Sequence, residues 1–397
     1  MVYFLYSHKY LRHCGEIKSR KAMKKSKKRV VVISAKTGGG HRAAALAIIE
    51  QLDKNKSLEV IHFDVMEDAP RPIRDIPKMY SSLTKLRTTY SAVFKLTEGS
   101  RQSQFTIDAV AKRYGKIIRQ HIEDLNPDVI ISCHFGANTF LPTLHTLAHH
   151  IPFLTVVTDL ETGHPMWFDK RADMVILPSV ESYARARNFG MPAKKLKIIG
   201  LPISAKFAEQ KISKQALRQD LGWPTDKPTL LVMAGGDGLG KINSLTKQLD
   251  KINSDVHLAI IAGRNKSLYE NLKSRKFTKS VHIYEFVENI PQMMQASDVL
   301  LTKAGPGTIV EAIVSRLPIV IFDFLPGQEE GNLHYVVDNK AGLWASTNSL
   351  AIRGTEDILS GYAKIGGARY EKIRRQHLEA AANIAKYAVD YPAEKHN

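Results

Sequence analysis

The chain has 397 residues, 44% hydrophobic and 24% charged, an ordinary globular balance with room for two domains, each with its own core. No apolar run reaches the ~18–20 residues of a spanning helix, and with Cys14 and Cys133 as the only cysteines a four-cysteine zinc site is excluded and a reducing compartment is indicated. The formal charge is +18, of which residues 1–30 contribute +9 and residues 71–120 contribute +8. Charge this localised marks an interaction surface, for nucleic acid or for an anionic bilayer. Near an anionic surface each Lys or Arg contributes about 1 kcal/mol.

Residues 1–28 read as an appended basic arm. Tyr3, Phe4 and Leu5 either dip into a headgroup layer beside Lys24, Lys25, Lys27, Lys28 and Arg29, or belong to a disordered leader. The apolar start is broken by His8, Lys9, Arg12 and His13, so it does not read as a secretion signal. Arg29 to Ser34 is an apolar run of buried parallel-strand type. It leads into Gly38-Gly39-Gly40-His41-Arg42 and then a strong helix former, Ala43 to Leu52. The spacing is neither G-x-G-x-x-G nor a P-loop. Three glycines let a ligand approach the backbone. His41 then sits at a helix start, where the positive end of the helix lowers its pKa and leaves a neutral imidazole able to accept a proton. The alternative is a capping or surface histidine. Val60 to Val65 is the next strand. Pro70, Pro72 and Pro77 follow, and then Tyr80, Leu83, Leu86, Tyr90, Val93, Phe94 and Leu96 recur at helical spacing among Lys78, Lys85, Arg87 and Lys95. That pattern suits either a helix at a membrane interface or a core helix with a solvated basic face.

Pro127 to Ser132 and Phe153 to Asp159 are further strands, followed by His134 and by Thr162-Gly163-His164-Pro165-Met166-Trp167. His41, His134, Asp159 and His164 match no metal spacing, so no metal site is expected. Strands at Asp173 to Pro178 and Lys197 to Pro202 close the first half, and a polar linker is expected from Ile203 to Lys227. The pattern then restarts with Thr229 to Met233, the loop Gly235-Gly236-Asp237-Gly238, a strand ending at Gly263-Arg264-Asn265, and one ending at Phe286 and Val287. The next strand ends in Lys303-Ala304-Gly305-Pro306-Gly307-Thr308, with Glu311 one turn into the following helix. Such a turn aims backbone N–H groups at a phosphate, and Pro306 gives up an N–H that has no helical partner. After another strand, Gln328, Glu329 and Asn332 return polar groups to the same strand-end crevice. This combination reads as a nucleotide-sugar site. Strands alternating with helices, twice over, give an α/β chain of two doubly wound Rossmann-like domains facing a cleft. Tyr370 to Tyr387 is a final helix.

Taken together, Gly38 to Arg42, Thr158-Asp159-Leu160, His164-Pro165, Trp167-Phe168, Gly200-Leu201-Pro202, Lys303 to Thr308 and Gly327 to Asn332 resemble the monogalactosyldiacylglycerol synthase family and the related bacterial diacylglycerol glucosyltransferases, in the family's order from about Val30 to Gly342. The second half also resembles the lipid II N-acetylglucosaminyltransferase. The resemblance implies a GT-B fold of the family 28 type and inverting transfer of galactose or glucose from a UDP-sugar to diacylglycerol. Divided so, 1–28 is the arm, 29–205 the acceptor- and membrane-binding domain, 206–365 the UDP-sugar domain, and 366–397 a helix packing back on the first.

Carried over by position, His41 is the base, and Asp159 orients either His41 or the acceptor. Gly39, Gly40, Gly235, Gly236, Gly305, Pro306, Gly307 and Thr308 line the leaving group, and Lys303 and Arg264 belong to the donor site. Phe286 and Val287 border uracil, Glu311 holds ribose, and Gln328, Glu329 and Asn332 face the sugar. Helix dipoles take the place of a metal, and no cofactor is required. Residues 71–120 match the part with which the family docks on anionic lipid, which places the protein peripherally on the cytoplasmic face of the cell membrane. A nucleic-acid partner is not expected, since basic residues would then alternate with stacking aromatics. The rival readings are a UDP-sugar epimerase of the same architecture and an N-acetylglucosaminyltransferase with a lipid-linked acceptor.

Overall fold

The computed structural model describes residues 27–35, 39–65, 99–208, 212–236, 238 and 241–392. The basic arm up to Lys25, the stretch from Pro70 to Leu96, Gly38 and Asp237 lie outside the described residues.

Twelve strands form two six-stranded sheets among the described residues. The first holds β1 (Lys28–Ser34), β2 (Leu58–Asp64), β3 (Val129–Ser132), β4 (Phe153–Val156), β5 (Met174–Leu177) and β6 (Leu196–Ile198), in the order β2-β1-β3-β4-β5-β6. The second holds β7 (Thr229–Met233), β8 (His257–Ile261), β9 (Ser280–Tyr284), β10 (Val299–Lys303), β11 (Ile319–Asp323) and β12 (Gly342–Trp344), in the order β12-β11-β10-β7-β8-β9. Every strand pair is parallel. Parallel neighbours require crossovers, which the first half makes with helices α1 (Gly40–Leu52), α2 (Ser100–Leu125), α3 (Leu141–Leu144) and α4 (Val180–Asn188) among others. The second half uses α5 (Lys214–Asp220), α6 (Ile242–Leu249), α7 (Lys266–Lys273), α8 (Ile290–Ala296), α9 (Pro306–Val314), α10 (Glu330–Asp338) and α11 (Asn348–Leu359), and α12 (Ala368–Asp390) ends the described chain.

The strands are apolar on both faces because helices cover both. In β1, Val30 and Val32 enter one core with Ile48 and Leu52 of α1, while Val31 and Ile33 enter another with Ile118 and Ile122 of α2. Two strand orders reverse direction, between β1 and β3 and between β7 and β10. At such switch points the connections leave in opposite directions and open a crevice at the carboxyl ends of the strands. The segments that follow β1, β3, β7 and β10 are the ones that hold His41, in the first turn of α1, and His134, Gly235 and Gly305.

One element differs from expectation. The polar stretch from Ile203 to Lys227 is not a plain linker. It contains α5, and Leu217 and Trp223 are buried in the core of the second half. Arg218 is buried there with its guanidinium on Asp298 and on the carbonyls of Ala296 and Lys227. The last helix, α12, spans both halves. Tyr370 near its start donates to Ile313 O in α9 at 2.9 Å, while Ala380, Ile384, Ala385 and Ala388 pack on the first sheet. Between them His377, fully buried, accepts from Leu201 N at 2.9 Å through Nδ1 and so donates from Nε2 to Tyr335 Oη at 2.7 Å. Among the described residues no helix is long and apolar enough to cross a membrane.

Candidate active site

The first wall of the cleft begins at Gly39 and Gly40, where an added Cβ would meet nothing within 4 Å. No side chain caps α1, and its first turn opens on this space. His41 is half-buried behind it, with its ring 4.8 Å from His134 edge-on, 5.8 Å from Trp167 and 6.4 Å from Phe135. Burial among these rings lowers the His41 pKa to about 4, opposed by a hydrogen bond from the ring to the Cys133 backbone carbonyl. The low pKa expected from the helix start is therefore present, but its main cause is desolvation. Oγ1 of Thr158 lies 2.7 Å from His41 Nδ1.

His134 and His164 are fully committed to the local chain on one nitrogen each. Nδ1 of His134 accepts from Gly136 N at 3.1 Å, and Nδ1 of His164 from Met166 N at 3.2 Å. Each caps a short 3-10 turn. Among the described residues no group of three or more His, Cys, Asp or Glu side chains is placed to hold a metal ion.

Asp159 does not touch His41 but faces the other half. It accepts from Trp167 Nε1 at 2.7 Å and from Gln328 Nε2 at 3.4 Å. Burial raises its pKa to about 6, with those two hydrogen bonds opposing. Thr162 Oγ1 donates to the backbone carbonyl of Gln328, and a Cβ on Gly331 would come within 2.7 Å of Glu161 Cβ. The loop after β4 is thus closely fitted to the start of α10.

The second wall is built on glycine. Gly235, Gly238 and Gly263 take φ of +71°, +56° and +63°, in the left-handed region that glycine adopts without strain. The Arg264 guanidinium lies 4.3 Å over the half-exposed Phe286 ring, and a Cβ on Gly236 would come 3.0 Å from Arg264 Nη1. Val287 packs against the core beside them. β10 shifts register between Thr302 and Lys303. Lys303 Nζ pairs with Glu329, and a Cβ on Gly305 would lie 3.4 Å from that Nζ. Gly305 N already donates to Lys303 O at 2.7 Å, so its N–H is not among those offered to a ligand. α9 starts with Pro306 in its first turn and no side-chain cap, which leaves the N–H groups of Gly307 and Thr308 without helical partners. Glu311 is half-buried, and burial raises its pKa to about 7.

The family resemblance implies that Gln328, Glu329 and Asn332 face the sugar, and the structure gives the three different surroundings. Gln328 lies at the cleft beside Asp159. Glu329, 5% exposed, is held by Lys303 and by Leu325 N at 2.9 Å. Asn332, 1% exposed, donates to Ala304 O at 2.8 Å beneath the glycine turn. Thr158, Thr162 and Phe135 were assigned no part in the sequence, although the first stands beside the Asp159 that was.

The two walls meet. A Cβ on Gly307 would lie 3.9 Å from Gly40 Cα, so the helix start next to His41 faces the uncapped helix start of α9.

Comparison with known proteins follows this division. Residues 41–203 match the family described as monogalactosyldiacylglycerol (MGDG) synthase, and residues 229–387 match the glycosyltransferase family 28 C-terminal domain. The monogalactosyldiacylglycerol synthase 1 of Arabidopsis thaliana is 34% identical over 81% of this chain and 62% of its own length. A probable monogalactosyldiacylglycerol synthase of Nicotiana tabacum is 33% identical over 81% of this chain and 62% of its own. A probable monogalactosyldiacylglycerol synthase 2 of Oryza sativa subsp. japonica is 33% identical over 82% of this chain and 72% of its own. The chain therefore spans about 62% of the length of the first two relatives. In fold it is similar to Staphylococcus aureus MnaA, solved with UDP (TM-score 0.58, 15% identity, 93% of this chain and 98% of that one). It is also similar to Acinetobacter baumannii MurG (TM-score 0.56, 15% identity, 92% and 100%). These likenesses establish a GT-B architecture. With one family covering the histidine-bearing half and a glycosyltransferase domain covering the glycine-turn half, and with relatives that align across both, the chain belongs to the monogalactosyldiacylglycerol synthase family.

Proposed function

We propose that this chain is an inverting hexosyltransferase that moves galactose or glucose from a UDP-sugar to the free hydroxyl of 1,2-diacylglycerol, giving a β-glycosyldiacylglycerol. The observation that carries the reading is the approach of the two helix starts, with Gly307 set 3.9 Å (from its would-be Cβ) against Gly40 next to His41. A proton acceptor and an anion-binding turn then share one space. His41, neutral at pH 7 because of its burial, takes the proton of the acceptor hydroxyl. The oxygen attacks the anomeric carbon from the face opposite UDP. The bond to UDP breaks, and its electron pair leaves with the diphosphate.

The N–H groups of Gly307 and Thr308, with Gly235, Gly236 and the charge of Lys303, stabilise the diphosphate as its charge grows. Arg264, Phe286 and Val287 hold the base, and Glu311 holds the ribose. Gln328 reaches the sugar, while Glu329 anchors Lys303 and Asn332 supports the turn from below. Residues 29–205 serve as the acceptor- and membrane-binding domain and 206–365 as the donor domain.

The acceptor stays in the bilayer, so the enzyme docks there, peripherally and on the cytoplasmic face. Support comes from α2, which exposes Phe105 (76%) and Ile117 (40%) beside exposed Arg101, Lys112, Arg113 and Lys116. Neutralising Lys78, Lys85, Arg87 and Lys95, outside the described residues, weakens binding to anionic vesicles more at low salt than at high salt. Equal losses at both would argue for packing instead.

The test is to incubate the protein with diacylglycerol vesicles and each UDP-hexose, and to identify the lipid formed. A glycosyldiacylglycerol is expected. An epimerised UDP-sugar without lipid product would favour the epimerase that the fold also accommodates. His41→Ala is expected to reduce transfer by about 10³-fold while calorimetric titration finds UDP affinity unchanged, and lost UDP affinity would refute its role as base.

A further inference from the structure

Asp159 is the carboxylate that the family resemblance set to orient either His41 or the acceptor, and its hydrogen bonds go to Trp167 and Gln328. The side chain that reaches the ring is Thr158, 4% exposed, with Oγ1 2.7 Å from Nδ1. No other side chain among the described residues hydrogen-bonds this imidazole. A neutral imidazole has one N–H and one lone pair, and the group bonded to one nitrogen fixes which is which. If His41 is to take a proton from an acceptor, the nitrogen facing the acceptor must hold the lone pair. The Cys133 backbone carbonyl, which can only accept, also bonds an N–H of this ring; with that N–H on Nδ1, shared with Thr158, the lone pair is left on Nε2.

We propose that Thr158 is the positioning residue of His41: its hydroxyl oxygen accepts the Nδ1 hydrogen and so fixes Nε2 as the nitrogen that receives the acceptor's proton. The inference rests on the transfer reading above. The step balances as follows. The acceptor O–H breaks and its proton goes to Nε2. The O–C bond to the anomeric carbon forms as the bond to UDP breaks, and the imidazolium keeps its Nδ1–H on Thr158 throughout. A hydroxyl has two lone pairs and can accept Nδ1–H from both the neutral and the charged ring. Unlike a carboxylate it adds no negative charge. Orientation is thus supplied while raising the ring's basicity less than a carboxylate would.

The test measures the ring directly. In ¹⁵N-labelled protein at pH 7, two-bond proton–nitrogen correlation, assigned by loss of the signals in His41→Gln, is expected to find the Nδ1–H tautomer. Thr158→Val is expected to shift the population toward Nε2–H and to lower kcat ten- to a hundredfold with the KM for the UDP-hexose unchanged. Thr158→Ser is expected to stay within threefold of the wild type. An Nε2–H tautomer in the wild type overturns the proposal, as does a Thr158→Val protein unchanged in both tautomer and kcat. The wild-type tautomer needs no variant, so it decides even if Thr158→Val fails to fold. A wild type that forms no glycolipid sinks the transfer reading, while the ring signals still decide the part played by Thr158.

Discussion

The cleft's two glycine turns use the same residue for different ends. After β1, a Cβ on Gly39 or Gly40 would meet nothing within 4 Å, and Gly39 has an ordinary helical φ of −85°. The backbone there does not need glycine, and what the missing side chains leave is room. After β7 and β8 the case is reversed. A Cβ on Gly238 would lie 2.0 Å from Ala262 O, and one on Gly263 would lie 2.5 Å from Gly236 O, both at positive φ. There the chain passes so close to itself that only glycine fits. One wall therefore leaves open space, with His41, His134 and Trp167 set behind it. The other closes tightly on its own backbone.

Three substitution or pH experiments separate the walls, in decreasing order of effect. Gly263→Ala is expected to destabilise the fold by on the order of 3 kcal/mol, through left-handed strain plus backbone overlap, and to abolish UDP binding. A melting temperature equal to that of the wild type would break the contrast. Gly40→Ala is expected to leave the melting temperature within about 2 °C, since an open helix-start position accepts Ala, and to lower transfer about tenfold by filling the space beside Gly307. Unchanged turnover would mean that the opening is not used by a ligand.

The smallest effect is in pH, and it has opposite signs in the two walls. The His41 pKa is lowered from 6.5 to about 4. The stability this site contributes is present above pH 6.5 and is lost as pH falls toward 4. The Glu311 pKa is raised from 4.5 to about 7. Its contribution is present below pH 4.5 and is lost as pH rises through 7. Melting curves from pH 5 to 8 should find His41→Gln flatter on the acid side and Glu311→Gln flatter on the alkaline side. Each difference is expected to be about 1 kcal/mol after solvent screening. A common sign for both variants would refute the assignment of opposite burial effects.

Much of this cleft was legible in the chain. Apolar runs located eleven of the twelve strands, and the turns at Gly39, Gly235 and Gly305 lie where strand ends predicted them. The three-residue β12, Gly342–Trp344, gave too short a run to register. What spacing did not resolve was which way neighbours point. Thr158 and Asp159 are adjacent at the end of an extended segment, where successive side chains turn to opposite sides. One therefore meets His41 and the other crosses to Gln328. The polar region holding Arg218 read as a linker because its partner, Asp298, is eighty residues away. Gln328 and Asn332 looked alike as amides, yet Gln328 is half-buried just ahead of α10, while Asn332 is buried in its first turn.

The path of α12 has a consequence for how the molecule is made. Val30, Val32, Ile131 and Leu154 are covered on one face by Ala380, Ile384, Ala385 and Ala388. A ribosome that has finished all six strands of the first sheet, through Ile198, leaves that face covered only in part, by Ala45, Ile48, Ile49 and Leu52 of α1, until residues 380–388 emerge. N-terminal domains usually complete their folding while the rest is still being synthesised. Here the first domain must wait for the last helix, and a nascent chain stalled before α12 would be the form most in need of a chaperone.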